Sequence, residues 1–294
     1  MAIHGILVPL VTPFDADGRI AGDALQALAA DVLEQGASGI VALGTTAEAA
    51  ALDAAERQLV VDLCAEVCRE RDAPLVVGAG SADTRASEAA LADLARWPEI
   101  SAALVPVPSF SRPGEAGVVA HFAHLAAAGP VPLIVYHVPY RTAQPLGTSA
   151  LRELAALPNV AGAKYATGSL DGPAVDLLAD PPPGFALLAG DDVTLSPLLA
   201  LGAAGGVLAS AHLATRHFAA LAAAWADGDA ATARPLGHRL ARLSAACFTE
   251  PNPTVLKAAL HALGRIPTPD VRLPLLPAAP ASVNLLHHHL AALP

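Results

Sequence analysis

Residues 132–165 read PLIVYHV (132–138), PYRTAQPLG (139–147), TSALRELAA (148–156), LPN (157–159) and VAGAKY (160–165). Two short apolar runs flank an amphipathic segment. The runs at 132–138 and 160–165 are nearly continuous in apolar character. That is the pattern of strands covered on both faces, as in a parallel sheet. The segment 148–156 reads as a helix, with Thr148 ahead of Ser-Ala-Leu as its cap. Strand, helix and strand in this order make one β/α unit.

The same unit recurs on both sides. Candidate strands precede it at Gly5–Val11, Gly39–Leu43, Pro74–Val77 and Ala102–Val107, and follow it at Phe185–Ala189 and Gly205–Ala209. Helical patterns lie between them at 21–35, 53–71, 84–96, 115–128, 171–179 and 193–201, the second opened by Asp53 as a cap. Eight strands, each followed by a helix, predict an α/β fold: a single (β/α)8 TIM barrel. An open doubly wound sheet fits less well, because no G-x-G-x-x-G fingerprint follows the first strand. The barrel is expected over residues 1–213. A C-terminal helical extension packed on it is expected over 214–294, with helices near 214–227, 230–247, 253–263 and 279–292. The Pro-rich stretch 266–280 separates the last two.

Hydrophobic residues make up 54% of the 294 positions and charged residues 15%, enough to build a large core and to exclude disorder as the main state. Mean hydropathy is +0.48, much of it from alanine. No window of about 18 residues is free of charge and of Pro or Gly breaks while rich in Leu, Ile, Val and Phe. The N-terminus lacks a basic region and a cleavage site. The expectation is a soluble, cytoplasmic protein that does not engage a membrane. With 17 basic against 27 acidic residues the net charge is −10, and no basic stripe appears, so nucleic acid is not an expected partner. Cys64 and Cys68, four apart, read as core thiols on one helix face, because a zinc site needs two more suitably spaced ligands.

Lysine is scarce. Of the 17 basic residues only Lys164 and Lys257 are Lys, and the rest are Arg. An amine, unlike a guanidinium, can lose its proton and attack a carbonyl. In a barrel the chemistry sits at the C-terminal strand ends. There the sequence places Thr45 and Thr46, Tyr136 and Arg141, Lys164, and Gly190-Asp191-Asp192. Lys164 lies in an apolar strand, where desolvation favours the neutral amine that a Schiff base needs. A lysine paired with a carboxylate such as Asp191 is the other reading. Tyr136 is a proton shuttle or a core aromatic. Thr45 and Thr46 offer hydroxyls and backbone N–H groups to a carboxylate, or simply cap a loop. Arg141 clamps a carboxylate or forms a surface ion pair. His137 should face the opposite side of its strand from Tyr136.

Together these segments resemble the pyruvate-dependent class I aldolases, the family of dihydrodipicolinate synthase and N-acetylneuraminate lyase. Gly44-Thr45-Thr46-Ala47-Glu48 resembles the family's G-T/S-T-G-E. Tyr136-His137-Val138-Pro139-Tyr140-Arg141-Thr142 resembles the synthases' Y-N-V-P-x-R-T. Residues 162–169, GAKYATGS, resemble G-x-K-x-(A/S)-(T/S)-G-D. The opening Gly5–Phe14, the Leu188–Asp192 segment and Asn252-Pro253 also match, so the likeness covers nearly the whole chain. It implies that Lys164 forms a Schiff base with pyruvate, that Tyr136 moves protons and that Thr45 relays them. Thr46 and the Ala47 N–H would hold the pyruvate carboxylate, Gly190 and Val207 would line the pocket, and Arg141 would meet the carboxylate of the second substrate. Arg141 favours the synthase type, which condenses pyruvate with aspartate semialdehyde, over the sialic-acid lyases. The resemblance implies no cofactor and no metal, small-molecule substrates only, and a homo-oligomer, dimer or tetramer.

Three positions depart from the pattern. Phe110 stands where the synthases have a tyrosine that reaches a neighbouring subunit's site, so the relay lacks that phenol. Ala47 and Ala143 replace glycines. An aldolase or dehydratase of a 2-keto-3-deoxy sugar acid is therefore the first alternative. A non-catalytic keto-acid-binding paralogue is the second.

Overall fold

The computed structural model describes residues 3–294. In chain order the elements are β1 (Gly5–Pro9), α1 (Gly22–Glu34), β2 (Gly39–Ala42), α2 (Ala54–Glu70), β3 (Leu75–Gly78), α3 (Thr84–Asp93), β4 (Ile100–Pro106), α4 (Gly114–Ala128), β5 (Leu133–His137) and α5 (Pro139–Thr142). They continue with α6 (Thr148–Ala155), β6 (Val160–Tyr165), α7 (Gly172–Ala179), β7 (Ala186–Ala189), α8 (Leu195–Ala200), β8 (Gly205–Val207), α9 (Ala211–Ala226), α10 (Ala230–Cys247), α11 (Thr254–Ala262) and α12 (Pro280–Ala291). The strands follow one another in chain order around a closed barrel. The expected (β/α)8 architecture with a C-terminal helical region is the one observed. Among the described residues no helix is long and apolar enough to cross a membrane.

Differences from the sequence reading are local. The helix expected at 84–96 is α3 followed by a 3-10 turn, Leu94–Arg96. Thr148 is the first helical residue of α6, not its cap; Gly147 takes the cap position and no side chain bonds there. The short α5 was not anticipated, and Pro139 starts it with a preset φ and no N–H to leave unpaired. Asp53 caps α2 as expected, in a reciprocal capping box with Glu56.

The chain forms two compact units. Among the described residues, one comprises residues 3–5 and Val76–Val207; the other comprises Ile6–Leu75 and Leu208–Pro294. In the first, β4 to β8 pair in parallel, neighbour to neighbour. The strands approach closely: a Cβ on Gly162 would sit 2.4 Å from the Ala186 carbonyl of β7. The β5/β6 register shifts between Leu133 and Ile134, so that Tyr136 pairs with Lys164 and His137 with Tyr165. One residue of β6, Ala161, is absorbed there. Without that bulge Tyr136 would face Ala163, and every β6 side chain would exchange faces relative to β5.

In the second unit β1 pairs in parallel with β2, and Leu208 N–H donates to the Leu7 carbonyl at 3.0 Å. His212 is fully buried: Nε2 accepts from the Val11 N–H at 3.2 Å, and Nδ1 bonds the Ala209 carbonyl at 2.8 Å. A neutral ring carrying its proton on Nδ1 satisfies both contacts, and burial holds its pKa down at about 4. Helices α9 and α10 pack together, as do α1 and α2, with Leu25, Leu28, Val60, Phe218 and Leu243 buried among the unit's apolar residues.

Candidate active site

In the first unit Lys164 and Tyr136 lie on adjacent strands in matched register. They are 6% and 8% exposed, and the Lys164 Nζ sits 4.4 Å from the centre of the Tyr136 ring. A buried amine beside a phenol can add to a carbonyl and exchange protons with its neighbour. The opposite strand faces carry His137 and Tyr165, as strand alternation predicts, with ring centres 5.2 Å apart. Tyr165 donates its hydroxyl to Asp171 at 2.7 Å, and Asp171 also caps α7 through the Ala174 N–H. Burial and that bond push the Tyr165 phenol up, and burial pulls His137 down to about 4.

Gly190 has to be glycine for space. A Cβ there would meet the Ala166 Cβ at 2.8 Å, the Lys164 Cγ at 2.9 Å and the Tyr165 carbonyl at 3.0 Å. Any side chain at this position would press on the lysine itself. Val207 ends β8 and is buried. Asp191 accepts from the Gly168 N–H at 2.5 Å. Burial raises its carboxyl, opposed by that hydrogen bond and by the charges of Lys164 and Arg141. Arg141 is exposed on α5, and its guanidinium lies 5.0 Å over the Tyr140 ring with Nε donating to the Tyr140 hydroxyl at 3.0 Å. A cation held open to solvent on its own short helix suits an anionic ligand.

In the second unit Thr45-Thr46-Ala47 form one 3-10 turn directly after β2. Thr46 is buried, and its Oγ1 accepts from the Asn252 Nδ2 at 2.9 Å. The Ala47 carbonyl accepts from the Thr12 hydroxyl at 2.7 Å, and the Ala47 N–H donates to the Gly44 carbonyl at 3.1 Å. That N–H can hold a ligand only as a shared, bifurcated donor. Glu48 closes the turn at φ 54°, a left-handed backbone. Its Oε1 accepts from the Lys257 Nζ at 2.8 Å and its Oε2 from the Arg272 N–H at 2.7 Å. Lys257 Nζ also lies 4.0 Å over the Phe14 ring. Burial lowers the Lys257 pKa, opposed by Glu48. Arg272 grips both carboxylate oxygens of Glu56, which holds Glu56 down at about 2.

The model of the dihydrodipicolinate synthetase family matches residues 2–293. The chain belongs to that family. It is a family of lyases among the pyruvate-dependent class I aldolases. The 4-hydroxy-tetrahydrodipicolinate synthase of Pseudomonas aeruginosa is 38% identical over 273 residues, covering 93% of this chain and 92% of the relative. The enzyme of that name from Nitratidesulfovibrio vulgaris is 36% identical over 293 residues, 99% of each chain. The crystal structure of the chloride-inhibited dihydrodipicolinate synthase from Acinetobacter baumannii, complexed with pyruvate, superimposes with a TM-score of 0.93. It is 33% identical and covers 99% of this chain and 98% of that one.

Within this dihydrodipicolinate synthetase family member, sequence reasoning missed the supports of the Thr turn. Lys257 read as a lysine of the helical tail, yet it is fully buried against Glu48. Asn252 entered only as part of a motif. Its partner lies 206 positions away, and no local spacing links the two. The signal available was scarcity, since a chain with two lysines gives each of them weight. Phe110 stands 99% exposed at φ 69°.

Proposed function

We propose that this chain is a Schiff-base-forming lyase that condenses pyruvate with aspartate semialdehyde, the 4-hydroxy-tetrahydrodipicolinate synthase reaction. The observation that carries the reading is Lys164, a buried amine in register with Tyr136, in a chain whose curated relatives bear that enzyme's name. In this reading the neutral amine adds to the keto carbon of pyruvate. The resulting carbinolamine loses water to give the imine, and loss of a methyl proton gives the enamine that attacks the aldehyde. Tyr136 hands protons to and from these intermediates, and Thr45 relays them. Thr46, with the Ala47 N–H as a shared donor, holds the pyruvate carboxylate. Gly190 and Val207 bound the pocket, and Arg141 receives the carboxylate of the second substrate. The active form is a cytoplasmic homo-oligomer, dimer or tetramer. A phenyl ring as exposed as that of Phe110 supports an assembly that covers it, and sedimentation analysis tests this.

Borohydride reduction with pyruvate should add one pyruvyl mass, mapped to Lys164 and lost in Lys164→Arg. A label on Lys257, or none, rejects the reading. Phe110, which cannot carry a proton, favours one second reading, cleavage or dehydration of a 2-keto-3-deoxy sugar acid. Product identification with both substrate classes separates the two.

A further inference from the structure

We propose that Asn252 is a positioning residue that fixes Thr46 as a hydrogen-bond donor toward the carboxylate of the 2-oxo acid; this rests on the role given to Thr46 above. A hydroxyl has one hydrogen and two acceptor lone pairs. Asn252 sits two residues before α11, and its Nδ2 donates to the Thr46 Oγ1 at 2.9 Å. One lone pair of Thr46 is thereby occupied by a donor. Its own hydrogen has to point elsewhere, where it can serve an acceptor. A carboxylate is an acceptor only, so a hydroxyl polarised in this way is the group it needs. Had an acceptor faced Thr46 instead, the hydroxyl would donate to the protein and present lone pairs to an anion.

The surroundings hold the arrangement. Thr46 is 3% exposed. The Thr12 hydroxyl ties down the Ala47 carbonyl, and Lys257 with the Arg272 N–H ties down both oxygens of Glu48. The turn is therefore fixed at the two residues that follow Thr46, leaving the hydroxyl torsion as the variable that Asn252 sets. The Asn252 Oδ1 is buried without a partner among the described residues. An unmet buried acceptor is unfavourable, so the amide is kept for its donating end.

The test is the pyruvate dependence of borohydride trapping at Lys164, with thermal melting as a control. Asn252→Asp turns the donor into an acceptor and adds a like charge. Half-saturating pyruvate should rise about thirtyfold or more, with the maximal extent of labelling retained, as for loss of a charge-assisted bond. Asn252→Ala leaves the Thr46 hydroxyl free to donate, so the rise should be about fivefold or less. In a Thr46→Val background Asn252→Ala should change nothing further. Equal rises in the Asp and Ala variants, or no rise with Asp, overturn the proposal. Should Asn252→Asp fail to fold, the Thr46→Val cycle decides: additive effects of Asn252→Ala and Thr46→Val overturn it, and non-additive effects support it. A wild-type chain that never labels overturns this proposal together with the Schiff-base reading. A wild-type chain that labels, with unmoved variants, overturns this proposal alone.

Discussion

Lys257→Met tests how the turn carrying Thr45 and Thr46 is held. Methionine is close to lysine in length and shape and removes the charge. Glu48 would keep the Arg272 N–H, but its only close cation in the pair would be gone, because the Arg272 guanidinium is committed to Glu56. The side chains of the pair are 0% and 2% exposed, so solvent cannot replace the lost partner. Breaking such a pair from one side costs about 3–5 kcal/mol. The contact of the ammonium with the Phe14 ring is lost as well, although the thioether regains part of it. At about 2–4 °C per kcal/mol for a large domain, the melting temperature should fall by roughly 10 °C. Glu48→Gln should be comparably harmful, since it strands the lysine. The double variant, Lys257→Met with Glu48→Gln, strands no charge and should recover at least half of the loss. The assay is thermal and urea unfolding of all four proteins at one pH and concentration. Single variants within about 1 kcal/mol of wild type, or a double variant equal to the sum of the singles, would show that the pair is not acting as a buried ion pair.

Three further outcomes are expected. Arg141→Leu should leave pyruvate trapping intact while turnover with an acidic aldehyde falls about a hundredfold; equal loss of both would make Arg141 structural. Gly190→Ala should slow imine formation at least about tenfold and destabilise by about 1–3 kcal/mol through overpacking, and an unchanged trapping rate would mean that Lys164 is not displaced by the new methyl group. His212 is held at about 4 against an ordinary value of 6.5. Its ring binds a proton less readily folded than unfolded, so the stability it contributes is complete above pH 6.5 and drains away as pH falls toward 4. Between pH 7 and pH 5 this amounts to about 2 kcal/mol, and His212→Gln should show a correspondingly shallower fall in urea unfolding; parallel curves for the two proteins would contradict it.

The barrel was legible because each strand is a short apolar run between polar ends, and β6 has the predicted bounds Val160–Tyr165. The alternation that put His137 and Tyr136 on opposite faces was legible for the same reason. The bulge at Ala161 was not, because VAGAKY is apolar or small at its first four positions and fits either register. Helix α5 was hidden by its four-residue length. The Thr turn could be noticed as a motif, but its supports could not. Asn252, Lys257 and Arg272 reach it from more than 200 positions away, and the Ala47 N–H is committed to Gly44 by a turn that composition does not reveal.

The burial of both lysines, at 6% and 0% exposure, leaves the folded surface without a single ε-amine. Its fixed positive charge is all guanidinium, which stays protonated far into the alkaline range. Lysine-directed labels and cross-linkers therefore find no ε-amine on the outside of the native protein, and neither does lysine acetylation. A carbonyl reagent small enough to reach Lys164 would meet one lysine amine per chain, because Lys257 is fully buried against Glu48. On the Schiff-base reading proposed above, moles of a carbonyl reagent trapped at Lys164, above any taken by the α-amine, would count the competent centres.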